Sequence, residues 1–169
     1  MNWELILKCD SSININDFKE IISITRESLE DDWSDLKENL RNLQLLMNTD
    51  DENHNYLSSD MSLPSSFVLK NVLNKIYGGK WTVIGGLEEY NSGIIDVNKI
   101  IHSHFWVMRK GVYIDITSDQ YGYLPIVVIN SDNDYYIPNN KNLYLKALYN
   151  NVRKNVEAWT NNTYKAIGV

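Results

Sequence analysis

With 169 residues, 43% of them hydrophobic and 22% charged, the chain has the size and composition of one globular domain with one core. A formal net charge of -6 and no run of Lys or Arg argue against a nucleic-acid partner, which needs a basic face. No apolar run approaches the ~20 residues that span a bilayer, and a single cysteine, Cys9, excludes an internal disulfide or a cysteine-built metal site.

The start, MNWELILKCDSS, lacks a basic leader and a small-residue cleavage site, so a cytoplasmic place of folding is expected. Export without a cleavable signal peptide stays open. Trp3 to Cys9 is short and apolar and fits either a first strand or an apolar segment laid on the core. Phe18, Ile21, Ile22, Thr25 and Leu29 then recur at helical spacing, with Asn16 as the expected N-cap. Leu36, Leu40, Leu43 and Met47 form a second stripe, either continuous with the first or broken from it near Asp31 to Ser34. Residues 48 to 62 are polar and turn-rich and read as a surface loop.

A third helix is expected from about Pro64, where the missing N–H of proline costs nothing, through Leu69, Val72, Leu73 and Ile76 to Gly78-Gly79. Beyond it the period shifts to that of strands. Trp81 to Ile84, His102 to Met108, Val112 to Thr117 and Leu124 to Ile129 are β-branched and aromatic, and Tyr135 to Ile137 is a candidate edge strand ended by Pro138. Asn142 to Trp159 returns to helix. Helices, then an antiparallel sheet, then a closing helix make an α+β domain. Its parts are a helical stretch over 1–61, a central helix and sheet over 62–138 and the closing helix over 139–169.

The chemistry concentrates in one hairpin, Ser103 to Gln120. A turn centred on Arg109 to Gly111 sets His104 opposite Asp115 or Ile116, and opposed Cβ atoms are only ~5 Å apart. An Asp held against one imidazole nitrogen fixes the tautomer and leaves the other nitrogen to take a proton from a nucleophile. A lone His in a strand is usually structural, and an Asp near a strand end often caps a turn. An Asp between Ile114 and Ile116 is less ordinary, since charge seldom sits mid-strand without a partner.

Ser103-His104-Phe105-Trp106 followed by Ile114-Asp115-Ile116-Thr117-Ser118-Asp119-Gln120-Tyr121 resembles the papain-like cysteine hydrolases, a group spanning NlpC/P60, transglutaminase-like and papain-fold bacterial toxin domains. The resemblance runs from about Ser62 to Ile129. It implies a papain-like fold, with helices packed on an antiparallel sheet and a nucleophile at a helix N-terminus. It also implies a hydrolase or acyltransferase acting on an amide or thioester carbonyl of a protein or peptide. In that group the nucleophile is a Cys that begins a Cys-x-x-Ala/Ser-Ser pattern on a leucine-spaced helix. Here the matching stretch is Ser62-Leu63-Pro64-Ser65-Ser66, so Ser62 stands where the resemblance implies Cys.

A helix N-terminus suits a nucleophile, because its free N–H groups and dipole lower a thiol's pKa and steady an oxyanion. Ser62 is read, in order, as an introduced Cys→Ser change, a natural serine nucleophile or the mark of an inactive form. Without the resemblance it reads as an N-cap serine. Gln120 is either a second polar group at the site or a strand-end structural residue. Cys9, lacking a nucleophile context, ranks below Ser62. His102 and His104 alternate on one strand, and with Asp115 and His54 they make a metal site a minor alternative. No cofactor is expected. The runner-up reading is a catalytically inactive binding or immunity-type protein on the same fold.

Overall fold

Phe18, Ile22, Leu29 and Trp33 lie fully buried along one helix that runs unbroken from Ile15 to Met47 (α2). In this computed structural model residues 1–47, 61–139 and 144–169 are described. The expected loop over 48–62 thus falls, but for its last two residues, outside the described residues, as do His54 and the side chains of Leu40, Leu43 and Met47. No break occurs near Asp31 to Ser34, because Trp33 extends the buried stripe and Arg26 pairs with Glu30 one turn ahead. The cap is Asn14, not Asn16: its side-chain oxygen accepts the N–H groups of Asn16 (2.9 Å) and Asp17 (3.4 Å).

The N-terminal segment is helical rather than extended. A 3-10 turn over Trp3–Leu5 leads into one α-helical turn, Ile6–Cys9 (α1), which buries Leu5, Ile6 and Cys9. That spacing marks a helical face, where a strand would have buried alternate residues. Helix α3, Ser62–Tyr77, starts two residues before Pro64 with Met61 at its N-cap, and Gly78 ends it at φ +65°. Helix α4, Leu145–Ile167, runs past the expected end at Trp159 and packs on α2 and α3, while the expected start at Asn142 lies outside the described residues.

Among the described residues seven short strands form two antiparallel sheets: β1 Thr82–Gly86, β2 Gly93–Ile95, β3 Ile101–His102, β4 His104–Arg109, β5 Val112–Asp115, β6 Val127–Asn130 and β7 Tyr136–Ile137. The first has the order β1-β4-β5-β6 and the second β3-β2-β7. The strand expected over His102 to Met108 is therefore two strands in different sheets, broken at Ser103. Gly93 permits the close approach of β2 and β3, since a Cβ there would lie 1.9 Å from the His102 carbonyl oxygen.

Alternation divides the first sheet between two cores. Val83, Phe105, Val107, Val112, Ile114 and Val128 join the helices in the main core. Trp106 and Tyr113 face the other way, against Ile94 and Tyr136 of the second sheet. The architecture is α+β, helices on one face of an antiparallel sheet and a small sheet on the other. The candidate site lies on the second face.

Candidate active site

The β4–β5 hairpin turns on Lys110 and Gly111, both at positive φ (+47° and +74°). A two-residue turn of this kind matches the strand twist and fixes the register. Arg109 pairs with Val112 and Val107 with Ile114, so continuation of the ladder sets Trp106, not His104, opposite Asp115. With a turn of two residues rather than three, the same continuation sets His104 opposite Thr117, past the expected Ile116 or Asp115. His104 and Asp115 still share a face as diagonal neighbours, a spacing long side chains bridge. His104 Nε2 lies 2.6 Å from Asp115 Oδ2.

The Asp115 carboxylate is fully engaged. Oδ1 accepts from the backbone N–H of Thr117 (2.8 Å) and from its hydroxyl (3.1 Å). Oδ2 accepts from the Tyr136 hydroxyl (2.8 Å) besides facing His104. Burial pushes this carboxyl's pKa up, but the His104 charge and hydrogen bond, the Thr117 N–H and the Tyr136 hydroxyl hold it below the ordinary value. Asp115 is thus the acceptor and Nε2–H the donor. Tyr136 is pushed well above the ordinary tyrosine value by burial and then by the Asp115 charge, and stays a neutral donor.

His104 sits in an aromatic box, with Tyr121 edge-on at 4.9 Å, Trp106 stacked at 6.1 Å and Tyr136 tilted at 6.3 Å. The side chains of His104 and Asp115 are 0% and 1% exposed. With Nε2–H given to Asp115, a neutral imidazole carries its lone pair on Nδ1. That atom is buried and makes no hydrogen bond among the described residues.

The structure brings His104 and Asp115 together and leaves Ser62 outside their hydrogen-bonded set. Ser62 is buried at the first position of α3, one residue inside the N-cap. Gln120 lies in a 3-10 turn over Ser118–Tyr121 at the end of the hairpin, where its Nε2 donates to the Thr117 carbonyl (2.8 Å). It closes the turn that supplies the Asp115 donors. Cys9 is fully buried, its thiol donating to the Arg109 carbonyl at 3.2 Å, and burial raises its pKa. A buried thiol of raised pKa is a poor nucleophile.

His102 belongs to the other sheet, where its Nε2 meets Asp96 Oδ2 at 3.0 Å and its ring stacks on Tyr121 at 5.0 Å. Asp96 also accepts the N–H groups of Asn98 and Ile100, each at 2.8 Å. Among the described residues no group of three or more His, Cys, Asp or Glu side chains is placed to hold a metal ion.

Two contributors carry no signal in the hairpin itself. Tyr136 reaches Asp115 from β7, and Arg26 reaches the turn after Asp115 from α2. A mid-helix Arg inside the apolar stripe of α2 was the available cue for the second; one tyrosine among 11 offered none for the first. Compared with family models, with curated proteins and with solved structures, the chain matches none.

Proposed function

We propose that this chain is built as a papain-like hydrolase or acyltransferase acting on an amide or thioester carbonyl of a protein or peptide. His104 is the general base, Asp115 its orienter and the residue at 62 the nucleophile. One observation carries the reading: a His–Asp pair at 2.6 Å whose remaining imidazole nitrogen has no partner among the described residues. A buried polar atom without a hydrogen bond costs about 1–3 kcal/mol; Trp106 Nε1 beside it is also unpartnered, so the weight falls on the combination of a free Nδ1 with an Asp-held Nε2. Position 62 adds the free N–H groups of a helix start, suited to an oxyanion.

In the reaction the Nδ1 lone pair takes the proton from the nucleophile as its oxygen or sulfur bonds to the carbonyl carbon. The imidazolium returns that proton to the leaving amine or thiol, and water or a second amine then releases the acyl group. Peptide hydrolysis, deamidation and transglutamination differ only in the acceptor and the pocket. A protein that carries Ser at 62 is slower than a Cys form, since a hydroxyl needs base assistance throughout the attack.

A second reading is favoured by the closure of the box over His104 and by Ser62 itself: a binding or immunity-type protein that keeps the dyad as a buried structural pair. Installing Ser62→Cys and following iodoacetamide labelling at neutral pH separates the two. The enzyme reading expects labelling faster than that of free cysteine and dependent on His104. Labelling at the free-cysteine rate, indifferent to His104→Ala, supports the binding protein.

A further inference from the structure

Among the described residues of α2, Arg26 is the one buried basic side chain, 6% exposed and far in sequence from the hairpin. Its guanidinium lies 4.7 Å over the Trp33 ring, and its Nε donates to Glu30 at 2.6 Å. It also makes a two-pronged pair with Asp119, Nη1 to Oδ1 at 3.1 Å and Nη2 to Oδ2 at 3.0 Å. The same Nη1 donates to the backbone carbonyl of Ile116. Two carboxylates thus balance one buried cation, which explains why a charge is tolerated there.

The carbonyl it holds is the informative contact. The peptide unit joining Ile116 to Thr117 has its C=O on the Arg26 guanidinium and its N–H on Asp115 Oδ1 at 2.8 Å. A cation on the carbonyl end of a peptide polarises the group and makes its N–H a stronger donor. The chain of contacts is therefore continuous: Glu30 and Asp119 to Arg26, Arg26 through one peptide to Asp115, and Asp115 to His104 Nε2.

We propose that Arg26 is a positioning residue for the dyad, fixing the Ile116–Thr117 peptide so that its N–H orients and stabilises the Asp115 carboxylate. It touches neither His104 nor a substrate. Its effect reaches the base only through Asp115, and it gives the N-terminal helix, outside the segment that resembles a known family, a part in the site. The low pKa direction of Asp115, to which the Thr117 N–H contributes, agrees with this. The inference rests on the dyad reading but not on turnover, because every readout below is spectroscopic.

The test is NMR on the full chain with Arg26→Met and Arg26→Lys. In Arg26→Met the Thr117 amide proton moves upfield, and the Asp115 carboxyl carbon titrates at higher pH. Arg26→Lys keeps the charge but loses the planar fork, so its shifts lie between those of Arg26→Met and the parent. If Arg26→Met does not fold, the Lys protein carries the test alone, with its Thr117 proton upfield of the parent's. A folded variant that loses stability while these resonances stay in place overturns the proposal, and Arg26 is then only a tie between α2 and the sheet. That outcome leaves the hydrolase reading intact, whereas failure of cysteine labelling at 62 leaves the Arg26 link intact.

Discussion

Two His–Asp pairs stand almost side by side in this protein, and Tyr121 touches both imidazoles. His104 and Asp115 are 0% and 1% exposed and 2.6 Å apart, whereas His102 and Asp96 are 34% and 11% exposed and 3.0 Å apart. The difference lies in what surrounds each carboxylate. Asp96 Oδ1 accepts two N–H groups of its own loop, at Asn98 and Ile100, and Oδ2 meets His102, so this pair completes a turn. Asp115 draws donors from two further elements, the turn after β5 and Tyr136 on β7, so its geometry is set by the fold. Identical residue pairs thus differ in how firmly the protein dictates them, and only the inner one has the rigidity a general base requires.

Removal of each carboxylate gives the largest contrast. Asp115→Ala strands a buried imidazole, and breaking a buried pair from one side costs about 3–5 kcal/mol. Urea unfolding should show that loss, while Asp96→Ala, at a pair partly open to solvent, moves the midpoint far less. Equal losses at the two sites erase the distinction. Next in size is Tyr136→Phe, which deletes one hydrogen bond to a charged group and costs about 1.5–3 kcal/mol. Its cavity is negligible, so a larger loss means that the hydroxyl organises more than Asp115.

Acid sharpens the comparison further. The Asp115 pKa in the folded protein lies below the ordinary 3.8, so its stabilisation is complete above that value. It is lost as pH falls through the lower folded value. The stability gap between the parent and Asp115→Asn should therefore be widest above pH 3.8 and shrink below it. A gap that grows on acidification contradicts the sign. The smallest effect concerns access: diethyl pyrocarbonate followed by peptide mass spectrometry should modify His102 well before His104, which lies under Tyr121, Trp106 and Tyr136. Equal rates would show the box to be open.

The helices were legible because burial follows the helical period: Phe18, Ile22 and Leu29 announce α2, and Leu69, Val72 and Leu73 announce α3. The inner pair was legible too, because an Asp flanked by two isoleucines demands a partner and the hairpin supplies one. Its register was missed by a step, since Lys110 gives no sign that it adopts positive φ. The second sheet was largely hidden. Its strands are two or three residues long, too short to show alternation, and β2 lies between Ile84 and His102, where no strand was expected. The break at Ser103 was hidden for the same reason, so His102 and His104 looked like one strand. Arg26 joins the turn after Asp115 across 90 residues and Tyr136 joins Asp115 across 21, and no local pattern reports such distances.

The most direct measurement pits the two histidines against each other in the Ser62→Cys protein. His104→Ala and His102→Ala are introduced separately, and the rate of iodoacetamide labelling at Cys is followed against pH. Loss of His104 should slow labelling at neutral pH to that of free cysteine, and loss of His102 should leave it unchanged. Labelling that ignores His104, or that falls equally when His102 is removed, contradicts the assignment of His104 and Asp115 as a base and its orienter.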